Sequence, residues 1–156
     1  MTAKQQYQAY ASATQTVAKT KQIVMLYEAI IRYMQQVKEA INDKRIEDRY
    51  NLLVKSSEII FGLQSCLDFE NGKEIARILY NFYASIDSRL FSIHRTNSLE
   101  TCDEIIAELK QMRDVWREID ESSSKEVSEE VKEEPAPASE DKKDDGDAEQ
   151  NINFSA

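Results

Sequence analysis

An all-α fold, an antiparallel up-down four-helix bundle, is what this sequence predicts, and three observations carry the prediction. Four apolar stripes follow one another at helical spacing between Lys19 and Ile119. Helix breakers are nearly absent there: the only glycines before the tail are Gly62 and Gly72, and both prolines, Pro135 and Pro137, lie beyond the last stripe. The interruptions between stripes are only a few residues long, which forces consecutive helices to run antiparallel.

The first stripe is Ile23, Tyr27, Ile30, Met34, Val37 and Ile41, stepping by three and four residues, with Val24, Leu26 and Ile31 widening the face. Thr16 or Thr20 is placed to cap its start, and Asn42-Asp43-Lys44-Arg45 reads as a turn. The second stripe runs through Ile46, Tyr50, Leu53, Ile60 and Leu67, with Ser57 where an apolar residue would fit. Gly62 weakens this helix by about 1 kcal/mol relative to alanine. A close helix approach is the expected reason, and a tolerated defect is the alternative.

Asp68-Phe69-Glu70-Asn71-Gly72 ends the second helix, and Asn71 with Glu74 three residues later has the form of a capping box. Ile75, Leu79, Phe82, Ile86, Leu90 and Ile93 form the third stripe. Asn97 with Glu100 offers the next cap, and Leu99, Cys102, Ile105, Leu109, Met112, Trp116 and Ile119 form the fourth. The expected organisation is a flexible N-terminal segment over residues 1–18, the bundle over 19–120, and a disordered acidic tail over 121–156. From Glu121 the composition collapses to Glu, Lys, Asp, Ser, Ala and Pro, too poor in apolar groups to offset the entropy of ordering. Among its last residues Ile152 and Phe154 are the apolar groups and read as a terminal docking motif.

Charge follows the same division. Of the net -9 over 156 residues, the stretch from Glu121 holds 12 acidic and 4 basic side chains, leaving the body at 17 against 16. That body lacks the dense Lys/Arg surface that phosphate neutralisation needs, so nucleic acid is not an expected partner. No stretch has the apolar length of a membrane span, and the first twenty residues lack a signal-peptide core, so no membrane insertion and a cytoplasmic address are expected. Cys66 and Cys102 are too few for a disulfide scaffold and read as small core filler.

No enzymatic constellation is present. A di-metal carboxylate bundle needs Glu-x-x-His on two inward faces; the chain has one histidine, His94, preceded at the required spacing by Phe91. His94 reads as a surface residue near a helix C-terminus. Neither cysteine has companions at zinc-ligand spacing, and no cofactor motif occurs. The acidic pairs Asp43/Glu47 and Glu104/Glu108 fall on polar faces. A non-enzymatic body of this kind works by holding another molecule.

The aromatic load points to where. Tyr27, Tyr33, Tyr50, Tyr80 and Tyr83, with Phe61, Phe69, Phe82 and Phe91, exceed what one narrow stripe per helix can bury. A wide core and a partly exposed groove for an amphipathic helix share this pattern. In the groove reading, Leu26, Tyr27, Ile30 and Ile31 of the first helix and Tyr80 and Tyr83 of the third contribute to partner binding. Tyr7 and Tyr10, detached by a polar linker, would lie in the groove when it is empty.

These residues also carry a resemblance. Val24-Met25-Leu26-Tyr27-Glu28-Ala29 is similar to the L-M-L-Y-D/E-G/A signature of the FliS family, the flagellar secretion chaperones that bind flagellin. Leu67-Asp68, Gly72, Glu74-Ile75-Ala76, Leu79, Tyr83 and Arg89-Leu90 resemble the family's second signature, and Trp116 and Tyr7 fit its ends. The likeness spans residues 5 to about 118. Asn71-Gly72-Lys73 stands where two glycines are common, Arg45 where an acidic cap is usual, and Ala18-Lys19 where helix one normally starts with Ser-Pro.

The resemblance implies a cytoplasmic chaperone that binds the disordered C-terminal segment of flagellin, prevents its premature polymerisation and aids delivery to the flagellar type III export gate. It also implies an autoinhibitory N-terminal strap. Two other readings of the same architecture are a regulatory adaptor for a flagellar signalling or anti-sigma protein, and a bundle that self-associates through its aromatic face.

Overall fold

The computed structural model describes residues 2–132 and has four helices: α1 (Ala3–Asn42), α2 (Ile46–Ser65), α3 (Phe69–Thr96) and α4 (Leu99–Lys132). They follow each other around a ring, with α1 between α4 and α2, and α3 against α2. The expected tail lies outside the described residues from 133 on, Ile152 and Phe154 included.

α1 begins well before its first apolar stripe. Thr2 rather than Thr16 or Thr20 caps it, with the Thr2 backbone N–H donating to Gln5 Oε1 at 3.0 Å. The Gln/Ala-rich stretch before Lys19 contains no breaker, and its residues are mostly adequate helix formers, so α1 runs on through it. α4 likewise continues past Asp120 to Lys132. Lys38–Asp103, Glu28–Arg117 and a 2.8 Å hydrogen bond from buried Thr20 to Asp120 are the rungs that set the antiparallel α1/α4 register.

The turns are tight. Lys44 and Asn97 take left-handed backbone (φ 58° and 51°), a conformation that costs a β-carbon residue roughly 1–2 kcal/mol. The α3 N-cap is Asp68, not Asn71: its carboxylate accepts from the backbone N–H groups of Glu70 and Asn71, both at 3.0 Å. Those hydrogen bonds, with the Asn71 side chain foremost, hold Asp68 below the usual carboxylate range. One turn later Lys73 is non-helical (φ 42°, ψ -115°), so α3 kinks where Glu74 was expected to close a box. Ser98, not Asn97, caps α4, accepting from the Thr101 N–H at 3.1 Å.

The two glycines differ. A β-carbon at Gly72 would stand 3.0 Å from the Ala76 methyl, so a larger residue there would crowd the first turns of α3. At Gly62 it would meet nothing within 4 Å, so no close helix approach explains that residue.

Every stripe supplies the core. Tyr27, Ile30, Met34 and Val37 from α1 meet Leu53 and Ile60 from α2, Tyr83, Ile86, Leu90 and Ile93 from α3, and Cys102, Ile105 and Leu109 from α4. Each such side chain stabilises the fold by about 1.5–3 kcal/mol through burial. Ser56 rather than Ser57 is the buried serine, and it returns its hydroxyl to the Leu52 carbonyl at 2.9 Å.

The cysteines separate: Cys102 is core, whereas Cys66 is exposed at the α2 C-terminus, against the expectation for it. Burial pushes the Cys102 thiol up to about 11, so it stays protonated and unreactive. A thiol reagent is expected to modify Cys66 in the native protein and Cys102 only in denaturant. Mass spectrometry of the labelled chain checks this, and rapid native labelling of Cys102 would contradict its burial.

Candidate functional site: an open seam between α3 and α4

The ring does not close evenly. α3 meets α4 over far fewer residues than any other neighbouring pair. At one level the two are clasped by Arg89, whose guanidinium donates twice to Glu108, at 2.8 and 2.6 Å. Each partner stabilises the other's charge, raising Arg89 and holding Glu108 below the usual carboxylate range.

That clasp sets the register of the seam. Two turns towards the α3 N-terminus, Phe82 stands level with Val115, and a turn further Ile78 stands level with Ile119. Ile75 and Ile78 on α3 and Val115 and Ile119 on α4 are all exposed large aliphatic side chains, while Phe82 and Met112 are half-buried against the core. Below the clasp the seam therefore presents exposed aliphatic side chains from both helices.

A polar layer lies at the same level inside the bundle. The Tyr27 hydroxyl donates to the Tyr83 hydroxyl at 2.9 Å, with ring centroids 6.4 Å apart and Trp116 beside them. Burial raises the ionisation point of both phenols, so both remain neutral. The pair satisfies itself inside an apolar core, as buried hydroxyls must.

The residues expected to bind a partner are not brought together. Tyr27, Ile30, Ile31 and Tyr83 are buried in the core and present no surface. Leu26 and Tyr80 are exposed, but on different faces. Leu26 sits beside Met25 on α1, and Tyr80 stacks edge-on against Phe69 with centroids 5.9 Å apart. The backbone at Tyr7 and Tyr10 is helical and continuous with α1, so it does not turn back across the seam; their side chains lie outside the described residues.

Ile75 and Ile119 entered the stripes as core, and Ile78 stood beside one. Ile75, Ile78, Phe82 and Arg89 step by three, four and seven, a second line along α3 parallel to the buried one.

A further apolar surface lies on the other flank of α3, where Tyr50 and Phe91 contact His94 (centroids 5.2 and 6.4 Å). Desolvation first, and the Arg49 guanidinium second, hold His94 below its ordinary 6.5. The unfolded chain therefore takes up this proton more readily than the folded one. The stabilisation from His94 is complete above its unfolded value and is lost as pH falls through the lower folded value. Thermal melts between about pH 7 and pH 5 are expected to show a decline that His94→Gln reduces; an unchanged profile would contradict it.

A depression between α1 and α2, lined by Gln36, Glu39, Arg45, Asp48 and Lys55, is polar, and its Arg45 is already paired with Asp43 and Asp48. Among the described residues, no three His, Cys, Asp or Glu side chains are grouped to hold a metal ion, and no helix is long and apolar enough to cross a membrane.

The sequence profile of the family described as Flagellar protein FliS matches residues 3–123, which include all four helical stripes and the whole seam. The chain belongs to the FliS family. It is 29% identical over 114 residues to the flagellar secretion chaperone FliS of Campylobacter jejuni, an alignment covering 72% of this chain and 89% of that one. The Vibrio cholerae flagellar secretion chaperone FliS is 27% identical over 99 residues, covering 64% and 73%. Flagellar secretion chaperone FliSB of Pseudomonas aeruginosa is 29% identical over 94 residues, covering 60% and 75%. A crystal structure of a bacterial flagellar chaperone superposes with a TM-score of 0.63 at 23% identity, over 67% of this chain and 85% of that one, and shares the fold. FliS is a chaperone family, not an enzyme family, and its profile ends at residue 123, so nearly all of the acidic stretch that begins at Glu121 lies beyond it.

Proposed function

We propose that this FliS-family protein is a cytoplasmic export chaperone whose α3–α4 seam binds the disordered C-terminal segment of flagellin as an amphipathic helix. It would thereby prevent premature polymerisation and aid delivery to the flagellar type III export apparatus. The observation that carries the reading is the incomplete closure of α3 on α4 between walls of Ile75, Ile78, Val115 and Ile119. Aliphatic walls favour apolar anchors at i, i+3/i+4 and i+7, the pattern of helix-in-groove recognition.

From Ile75 to Arg89 the seam extends about 20 Å at 1.5 Å per residue, room for roughly four turns of a bound helix. Ordering such a segment costs roughly 2–5 kcal/mol, which burial of client side chains between the walls must exceed. Nothing in this mode needs a cofactor, a reactive group or nucleic acid. A binding site of this kind works by covering a client surface that would otherwise find a second flagellin.

The test is titration of a labelled flagellin C-terminal peptide with the full chain, read by fluorescence anisotropy at low and high salt. Saturable binding with little salt dependence is expected; no binding, or binding abolished by salt, would sink the reading. Removing residues 1–15 is expected to leave the affinity unchanged, because the seam belongs wholly to α3 and α4. A large loss would place the N-terminal segment, with Tyr7 and Tyr10, in the site instead.

A further inference from the structure

The surface between α2 and α3 has a form of its own. On α2, Tyr50, Ser57 and Phe61 lie along the flank facing α3; on α3, Tyr80, Asp87 and Phe91 lie along the flank facing α2. Both sets step by seven and then four residues, Tyr answering Tyr and Phe answering Phe, on helices that run in opposite directions. An approximate two-fold axis normal to the face relates them, and the hydrogen bond from Ser57 to Asp87 lies near its centre.

The four rings are far from buried. Tyr50 is 55% exposed, Phe61 70%, Tyr80 44% and Phe91 74%, whereas core Tyr27 and Tyr83 are at 0% and 2%. Weighting roughly 200 Å² per aromatic side chain by those fractions leaves about 500 Å² of bare ring surface, near the upper end for a monomer. It lies on the flank of α3 opposite the α4 seam, so binding along the seam leaves it uncovered.

We propose that this α2–α3 face is a homodimer interface, in which a second copy of the chain packs its own α2–α3 face against it about a two-fold axis. Two such faces bring together about 1,000 Å², the area at which a specific interface becomes sustainable. An isologous contact requires one patch to complement itself, and a face with equivalent rings at both ends meets that requirement. The carboxylate in its middle, Asp87, is retained by Ser57 of the same chain. With two Asp87 side chains near the axis and an area at the threshold, the association is weak and depends on concentration. Each copy keeps its seam open, so the dimer offers two client sites.

Sedimentation equilibrium of the full chain from about 1 µM to about 500 µM tests this. The weight-average mass is expected to rise toward twice the monomer value. The double variant Phe61→Glu/Phe91→Glu is expected to stay monomeric with an unchanged melting temperature and unchanged flagellin-peptide binding. The seam variant Ile78→Glu/Ile119→Glu is expected to dimerise as the parent does, which separates this proposal from the client-binding one. A monomer at every concentration, or a dimer that persists in Phe61→Glu/Phe91→Glu, overturns the proposal. So does loss of peptide binding in Phe61→Glu/Phe91→Glu, because the face would then belong to the client.

Discussion

Replacing Ile78 and Ile119 together with glutamate is expected to weaken binding of a flagellin C-terminal peptide by at least about 100-fold while the melting temperature stays near that of the parent. Both side chains are exposed, on facing positions of α3 and α4. Their loss therefore costs the free protein little, since surface substitutions away from special features usually fall within about 0.5 kcal/mol. In the complex the same positions would be covered. Each isoleucine then forfeits part of the roughly 1.5–3 kcal/mol of full burial, and each carboxylate must be desolvated against an apolar helix. Two such losses exceed about 2.8 kcal/mol, which is 100-fold in affinity. Anisotropy titration measures the binding and circular dichroism the melt. Full-strength binding by this variant would remove the seam from consideration as the client site.

Tyr27→Glu is expected to abolish folding rather than to impair a binding surface. Tyr27 is fully buried, and its hydroxyl is hydrogen-bonded to Tyr83. Removing a buried aromatic ring costs about 3–5 kcal/mol, and an uncompensated buried carboxylate adds several more. Together these approach the whole stability of a domain, about 5–15 kcal/mol. The conservative Tyr27→Phe keeps the ring but strands the Tyr83 hydroxyl, at about 1–3 kcal/mol, and is expected to give a folded protein with a lowered melting temperature. Far-UV circular dichroism and limited proteolysis distinguish the two variants. A folded Tyr27→Glu chain with a native melt would contradict the burial of this ring. Loss of client binding in that variant says nothing about the seam.

The comparison of sequence with structure turns on what a helical stripe can specify. Periodicity placed the core: Ile30, Met34, Leu53, Ile60, Ile86, Leu90, Ile105 and Leu109 all stand where their stripes put them, and all are buried. Helix ends were less legible. Asp68 and Asn71 are both competent caps, and the choice fell to Asp68 because its carboxylate reaches two backbone N–H groups across the turn before the Lys73 kink. Gly62 and Cys66 carried expectations of burial that their outward positions on α2 did not meet.

The binding residues were the least legible. Tyr27 and Tyr83 drew attention as the tyrosines of two signatures, yet each is paired with the other, hydroxyl to hydroxyl, inside the bundle. Ile75, Ile78, Val115 and Ile119 have nothing in their own chemistry to set them apart from core aliphatics. Their exposure follows from how little of α3 meets α4, and spacing along one helix does not encode its contact with another.

Helix number, antiparallel order, the core stripes and the family signatures were therefore determined by the sequence alone, because they depend on local periodicity, breakers and short turns. Only the tertiary structure decided which of the four seams stays open, which rings pair inside and which remain outside. Those outcomes depend on competition among neighbouring helices for the same apolar surface, and that competition is resolved only when all four have packed.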